Sequence, residues 1–169
     1  DQARLTFTVQ VDDLSALTGP MELEDTNTQL FRRAYATTSA KIRLHQQSFR
    51  ERVLAAYRNQ CTLCRLKHPE LLDAAHIIPD QEEFGDPVVQ NGLSMCKIHH
   101  AAFDRNIIGI HPDFHIRVRR DILEETDGPM LKYGLQSLEN ERIILPGHTR
   151  DYPNRERLEK RFEQFLRAS

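Results

Sequence analysis

Tryptophan is absent from this 169-residue chain, cysteine occurs only three times, and no apolar run is long enough to cross a bilayer. The missing span argues against a membrane role, and three cysteines paired as disulfides leave one over. No internal repeat or low-complexity tract is present, and no charged-then-apolar leader stands at Asp1. The chain therefore reads as a fragment of a longer cytoplasmic protein with further sequence upstream. An excess of positive charge is missing too, with Lys and Arg numbering 23 against 25 Asp and Glu. Taken alone, that balance argues against a nucleic-acid partner. What is present, 39% hydrophobic and 28% charged residues, suits one globular domain with a real core, or a compact domain with arms.

The average charge hides a pattern. Between Lys41 and Lys67 stand Lys41, Arg43, Arg50, Arg52, Arg58, Arg65 and Lys67 against the single acid Glu51. This stretch is either a phosphate-facing patch or a solvated helix face. Acidic residues gather elsewhere, at Asp80 to Asp86 and at Asp121 to Asp127. Residues Arg4 to Val11 alternate as a strand does, and a polar stretch with Gly19 and Pro20 follows, so 1–40 reads as an arm or a linker from an upstream domain. Phe49, Val53, Leu54 and Tyr57 recur at helical spacing and predict an amphipathic helix over 44–57. A strand is expected over 71–78, a long loop to Asn91, and a helix from Cys96 to Asp104. Ile107 to Ile110 and Phe114 to Val118 read as a hairpin around His111, Pro112 and Asp113. Arg142 to Leu145 reads as a further strand and Arg155 to Leu166 as a closing helix.

Cys61-x-x-Cys64 and Cys96-x-x-His99 are two half-sites with 31 residues between them. Thiolates two residues apart on a tight turn, or ligands one helical turn apart, can face one ion about 2.3 Å from each sulfur. Four such ligands complete a closed tetrahedral site, so structural zinc is expected, with a disulfide or redox chemistry at Cys61 and Cys64 as the alternatives. Cys96 and His99 would share a helix face, while His100 is turned by about 100° and lines up with Asp104. One histidine can then clamp zinc while its neighbour faces elsewhere.

Between and beyond these half-sites run the motifs DAAHIIP (73–79), QNGLSMC (90–96) and CKIHHAAFD (96–104), preceded by RLHQQSFRERVLAAY (43–57). This ordered set, from about Arg43 to Val118, resembles the HNH nucleases, and most closely the bacterial restriction-type members. The resemblance implies an α+β fold: a ββα-metal core over 41–120 with a structural zinc knuckle, flanked by the N-terminal arm and helix and by a C-terminal extension, 121–169, for packing or dimerisation. It implies metal-dependent hydrolysis of DNA phosphodiesters, with His76 as general base, Asn91 holding the loop and the His76 ring, and His100 holding a catalytic magnesium or manganese ion. Arg43, Arg50, Arg58, Lys97 and Arg105 are the candidate DNA contacts. A homodimer would allow both strands to be cut.

One position departs from the family pattern. Many HNH members carry a metal-binding Asp directly before the base, where this chain has Ala75. His100, water and phosphate would then hold the ion, or Asp73 or Asp104 would join them. Strand alternation sends Asp73 to the face opposite His76, which counts against it. The competing readings are a zinc-containing DNA-binding module that has lost cleavage and, lower, a zinc-stabilised protein-interaction domain.

Overall fold

A computed structural model of the chain describes residues 46–126 and 128–168, all within one compact unit that spans Lys41–Ser169. The strand expected over 4–11 and the whole 1–40 arm lie outside the described residues. Helix α1 occupies 46–56 and buries Phe49, Val53, Leu54 and Tyr57. It ends in a left-handed cap: Arg58 has φ 56°, its N–H donates to Ala55, and the N–H of Asn59 donates to Leu54. The backbone turns directly into the first cysteine pair. There Arg65, at φ 65°, closes the knuckle by donating to the Cys61 carbonyl at 3.0 Å.

Strands β1 (Leu72–His76) and β2 (Gly92–Cys96) pair antiparallel, with Leu72 opposite Cys96 and His76 opposite Gly92. Helix α2 (Lys97–Asp104) leaves β2 without a loop. Together they make the ββα unit of an α+β HNH core. The predicted helix starts one residue too early, because Cys96 is extended (φ −71°, ψ 160°) and serves as the N-cap. All five residues of β2 are buried, so GLSMC lacks the alternation that marks a half-exposed strand, and sequence periodicity passes over it.

A second antiparallel pair, β3 (Ile108–Ile110) and β4 (Ile116–Val118), matches the expected hairpin. Short helices α3 (Arg120–Glu124) and α4 (Pro129–Gly134) follow, then α5 (Arg155–Ala168). The strand expected at Arg142 to Leu145 reduces to one bridge between His115 and Arg142; its carbonyls and N–H groups also serve the knuckle, where Ile144 donates to Thr62 and accepts from the Thr62 hydroxyl. One apolar core joins α1, both hairpins and Leu158 of α5. No helix among the described residues is long and apolar enough to cross a membrane.

Close approach at Gly92 sets how α1 lies on the ββα unit. A Cβ there would stand 2.4 Å from Val53 Cγ2 and 3.0 Å from Phe49 Cζ. Gly92→Ala is therefore expected to destabilise by about 1–3 kcal/mol, as overpacking does, read as a lower midpoint in urea. An unchanged midpoint would refute the tight seat assigned to Phe49.

Candidate active site and metal centre

The knuckle after α1 supplies Cys61 and Cys64, the end of β2 supplies Cys96, and the first turn of α2 supplies His99. The four ligand atoms lie within 4.8 Å of one another. Cys96 Sγ is 3.2 Å and Cys61 Sγ 3.4 Å from His99 Nδ1, and Cys64 and Cys96 sulfurs are 4.0 Å apart. Bonds of about 2.3 Å to sulfur and about 2.0 Å to nitrogen in a tetrahedron require separations of roughly 3.5–3.8 Å. The donor set therefore fits zinc. His99 Nε2 donates to the Gly134 carbonyl at 2.7 Å, which turns Nδ1 toward the sulfurs. That carbonyl is a partner sequence reasoning missed, since no local pattern links Gly134 to His99.

Electrostatics point the same way. The three thiols titrate together: contact with Cys61 and Cys64 holds Cys96 far below its ordinary range, while contact with Cys61 and Cys96 pushes Cys64 up. Burial works against the His99 imidazolium, yet the Cys61 and Cys96 sulfurs and the Gly134 carbonyl outweigh it and raise its pKa to about 10. The cluster thus stabilises positive charge where a cation would sit.

The neighbouring histidine faces a different surface. His100 lines a cleft of about 390 Å³ together with Phe49, Arg50, Asp73, Ala74 and His76. His76, the last residue of β1, stacks on Phe49 with ring centroids 4.1 Å apart and planes 17° from parallel. Its Nε2 is buried without a hydrogen-bond partner among the described residues. Burial lowers the pKa of His76, with Asp80 and Asp104 pulling the other way and His100 adding to the fall. A larger cleft of about 540 Å³, between the β3–β4 hairpin and α5, contains none of the HNH motif residues.

Asn91 stands one residue before β2 and is fully buried. Its Oδ1 accepts from the Ile78 N–H at 3.0 Å, and its Nδ2 donates to the carbonyls of Ile78 at 2.9 Å and Asp86 at 3.2 Å. The side chain closes the loop between β1 and β2 and fixes the backbone just past His76. Contact is with that backbone; the ring itself is held by Phe49.

His100 Nε2 lies 3.3 Å from Asp104 Oδ2, the i,i+4 pair its helical spacing suggested. Its Nδ1 lies 3.8 Å from Asp73 Oδ2, so Asp73 does reach the cleft. Alternation sets the direction of Cβ and not the reach of the side chain beyond it. Asp73 is, however, engaged by Lys97 at 2.9 Å and by Arg50 at 3.5 Å. Ala75 is fully buried in the core.

Of the candidate DNA contacts, Arg43 lies outside the described residues. Arg50 donates to the carbonyls of Pro69 and Leu72, at 2.7 and 2.9 Å, and so braces the entry to β1. Arg58 packs beside Gly147, Lys97 pairs with Asp73, and Arg105 is exposed without a side-chain partner among the described residues. Arg50 lines the cleft and Lys97 touches it only through its pairing with Asp73; Arg58 and Arg105 do not line it.

Residues 61–111 match the model of the family described as HNH endonuclease, so the chain carries an HNH endonuclease domain and the resemblance seen in its motifs is borne out. No curated protein matches the chain. Among solved structures, a chain described as "Modification dependent TagI restriction endonuclease" is similar at 18% identity and a TM-score of 0.48, over 69% of this chain. The alignment spans 37% of that protein's length.

Purified protein is expected to hold one zinc ion per chain by elemental analysis. Replacing Cys96 with Ser should release it and lower the melting temperature, because ligand binding and folding are coupled. Full zinc retention in that variant would remove Cys96 from the ligand set.

Proposed function

We propose that this chain is the cutting module of a metal-dependent DNA endonuclease. The observation that carries the reading is the meeting of His76 and His100 in one cleft, with the buried His99 turned away to the cysteine cluster. Burial keeps His76 a free base at neutral pH. With Nε2 enclosed, Nδ1 is the nitrogen that takes a proton from the attacking water. The bond from that water oxygen to phosphorus forms as the bond to the 3′ oxygen breaks, and solvent protonates the leaving oxygen. Phe49 and the Asn91-bound loop keep the imidazole from turning, so little reorganisation accompanies proton transfer.

His100 and Asp104 would hold the catalytic ion. Their 3.3 Å separation is close to the edge of about 3 Å between adjacent ligands around a magnesium or manganese ion with bonds of about 2.1 Å. Asp104 is favoured over Asp73, whose charge Lys97 and Arg50 already offset. A divalent ion held there would supply Lewis-acid charge to the phosphate and the leaving oxygen. Arg50 and Lys97 would meet the DNA backbone, which predicts cutting with little base preference. Arg43, Arg58 and Arg105 extend that contact in this reading, outside the cleft. The likeness of the motifs to restriction-type members supports placement in a bacterial defence protein of the cytoplasm, with an upstream recognition domain and a homodimer for double-strand cuts. Ala75 favours one rival reading, a zinc-containing module that binds DNA without cutting it.

Supercoiled plasmid with magnesium or manganese should be nicked, EDTA should stop the reaction, and His76→Ala, with its zinc retained, should lose at least about 100-fold in rate. Plasmid retarded on a gel but never nicked would favour the binding module.

The nicking rate should rise with pH as His76 loses its proton, with a midpoint below the ordinary histidine value of about 6.5, and level off by neutrality. The direction follows from a lowered pKa: the base form dominates above the midpoint. A midpoint above 7 would exclude His76 as the base.

A further inference from the structure

Helix α5 carries Arg157 and Arg161 four residues apart, on one face, and they reach two different segments, the loop between β1 and β2 and the end of α2. Arg161 donates to the Phe103 carbonyl at 2.6 Å and lies 3.4 Å from that of Asp104, the last two residues of α2. Its guanidinium also stacks 4.7 Å over the Phe103 ring. The closing carbonyls of a helix lack helical partners and favour a cation, so this contact fixes the end of the helix that bears His100 and Asp104. Arg157 pairs with Asp86 at 3.0 Å. The Asp86 carbonyl accepts from Asn91, and Asn91 brackets Ile78, two residues past His76. The start of α5 is tied in as well: the Asn154 N–H donates to Gln90, and Asn154 Oδ1 accepts from the Arg157 N–H, both at 3.0 Å.

We propose that Arg157 and Arg161 are positioning residues: α5 is a brace that holds the base, through Asp86 and Asn91, at a set distance from the His100–Asp104 pair, through the end of α2. The inference rests on the nuclease reading above. Neither arginine lines the cleft, so neither is assigned a contact with DNA. Two different kinetic signatures follow. Loss of Arg161 loosens the pair that holds the ion; loss of Arg157 loosens the base.

The test uses the full chain with zinc content and melting temperature checked for every variant. Arg161→Ala should raise the manganese concentration for half-maximal nicking by about tenfold, the scale on which a partner of a metal ligand acts, with plasmid affinity unchanged. Arg157→Ala should lower kcat by about tenfold and move the midpoint of the pH–rate profile, with the manganese midpoint unchanged. Arg161→Lys and Arg157→Lys should show the same signatures in smaller measure, and they replace the alanine variants if those lose zinc. Gln164→Ala, which removes only the outer partner of Arg161, should nick as wild type does. Unchanged kinetics in folded, zinc-loaded arginine variants would overturn the proposal. So would weakened plasmid binding with kcat and metal midpoint intact, which would make the arginines phosphate contacts. If wild type itself fails to nick, the nuclease reading falls. Manganese affinity by electron paramagnetic resonance, with a phosphorothioate duplex present, then decides the brace: weaker in Arg161→Ala sustains it, equal overturns it.

Discussion

Four ligand side chains from two distant stretches of sequence converge on one point, and the direction of α2 depends on that convergence. Cys61 and Cys64 come from a knuckle whose shape is set by a left-handed residue and by hydrogen bonds to β2 and to Ile144. Cys96 and His99 come from the junction of β2 with α2. Because that junction has no loop, orienting His99 also orients His100, one residue on, toward the opposite cleft. In the proposed reading, a cluster closed around an ion would supply order and leave the chemistry to its neighbour. The fifth participant, the Gly134 carbonyl, recruits α4 to the same point.

A small core gains from such a clamp. Each fully buried aliphatic side chain contributes about 1.5–3 kcal/mol, but the ordering of each residue opposes this on a similar scale. The two hairpins are each only two strands wide and would be marginal alone. They are held from outside, the first by α1 through Gly92 and the second by α5, whose Phe165 fills the space a side chain at Gly109 would take. The candidate cleft lies over the first hairpin, beside α1. Its polar groups are partly spent on the protein itself, as with Arg50 on backbone carbonyls and Lys97 on Asp73.

The legible parts of the fold were those written in local spacing. The helix through Tyr57, the β3–β4 hairpin, the closing helix and the two zinc half-sites each announce themselves within a dozen residues. β2 did not, since burial on every position removes alternation, and Arg142 to Leu145 misled because its apolar run serves bridging contacts and no regular ladder. For the candidate site, the pairing of His100 with Asp104 was readable from helical geometry. Phe49 read only as core, and nothing in the sequence told that its ring lies against His76. Contacts between residues far apart in the chain, such as Gly134 to His99 and Arg161 to Phe103, leave no periodic trace and became visible only in three dimensions.

Asn91 is followed by Gly92, the pair most prone to lose its amide spontaneously, through attack of the glycine nitrogen on the side-chain carbonyl. In the folded chain both ends of that amide are tied to Ile78 and the residue is sealed from water, so the backbone cannot swing into the cyclic intermediate. An unfolded or loosened chain has no such protection. The resulting aspartate would set a carboxylate oxygen against the Ile78 carbonyl, where a donor is required. Chemical ageing at this one peptide would therefore record how often the molecule opens, and each event would mark the chain permanently at the loop beside His76.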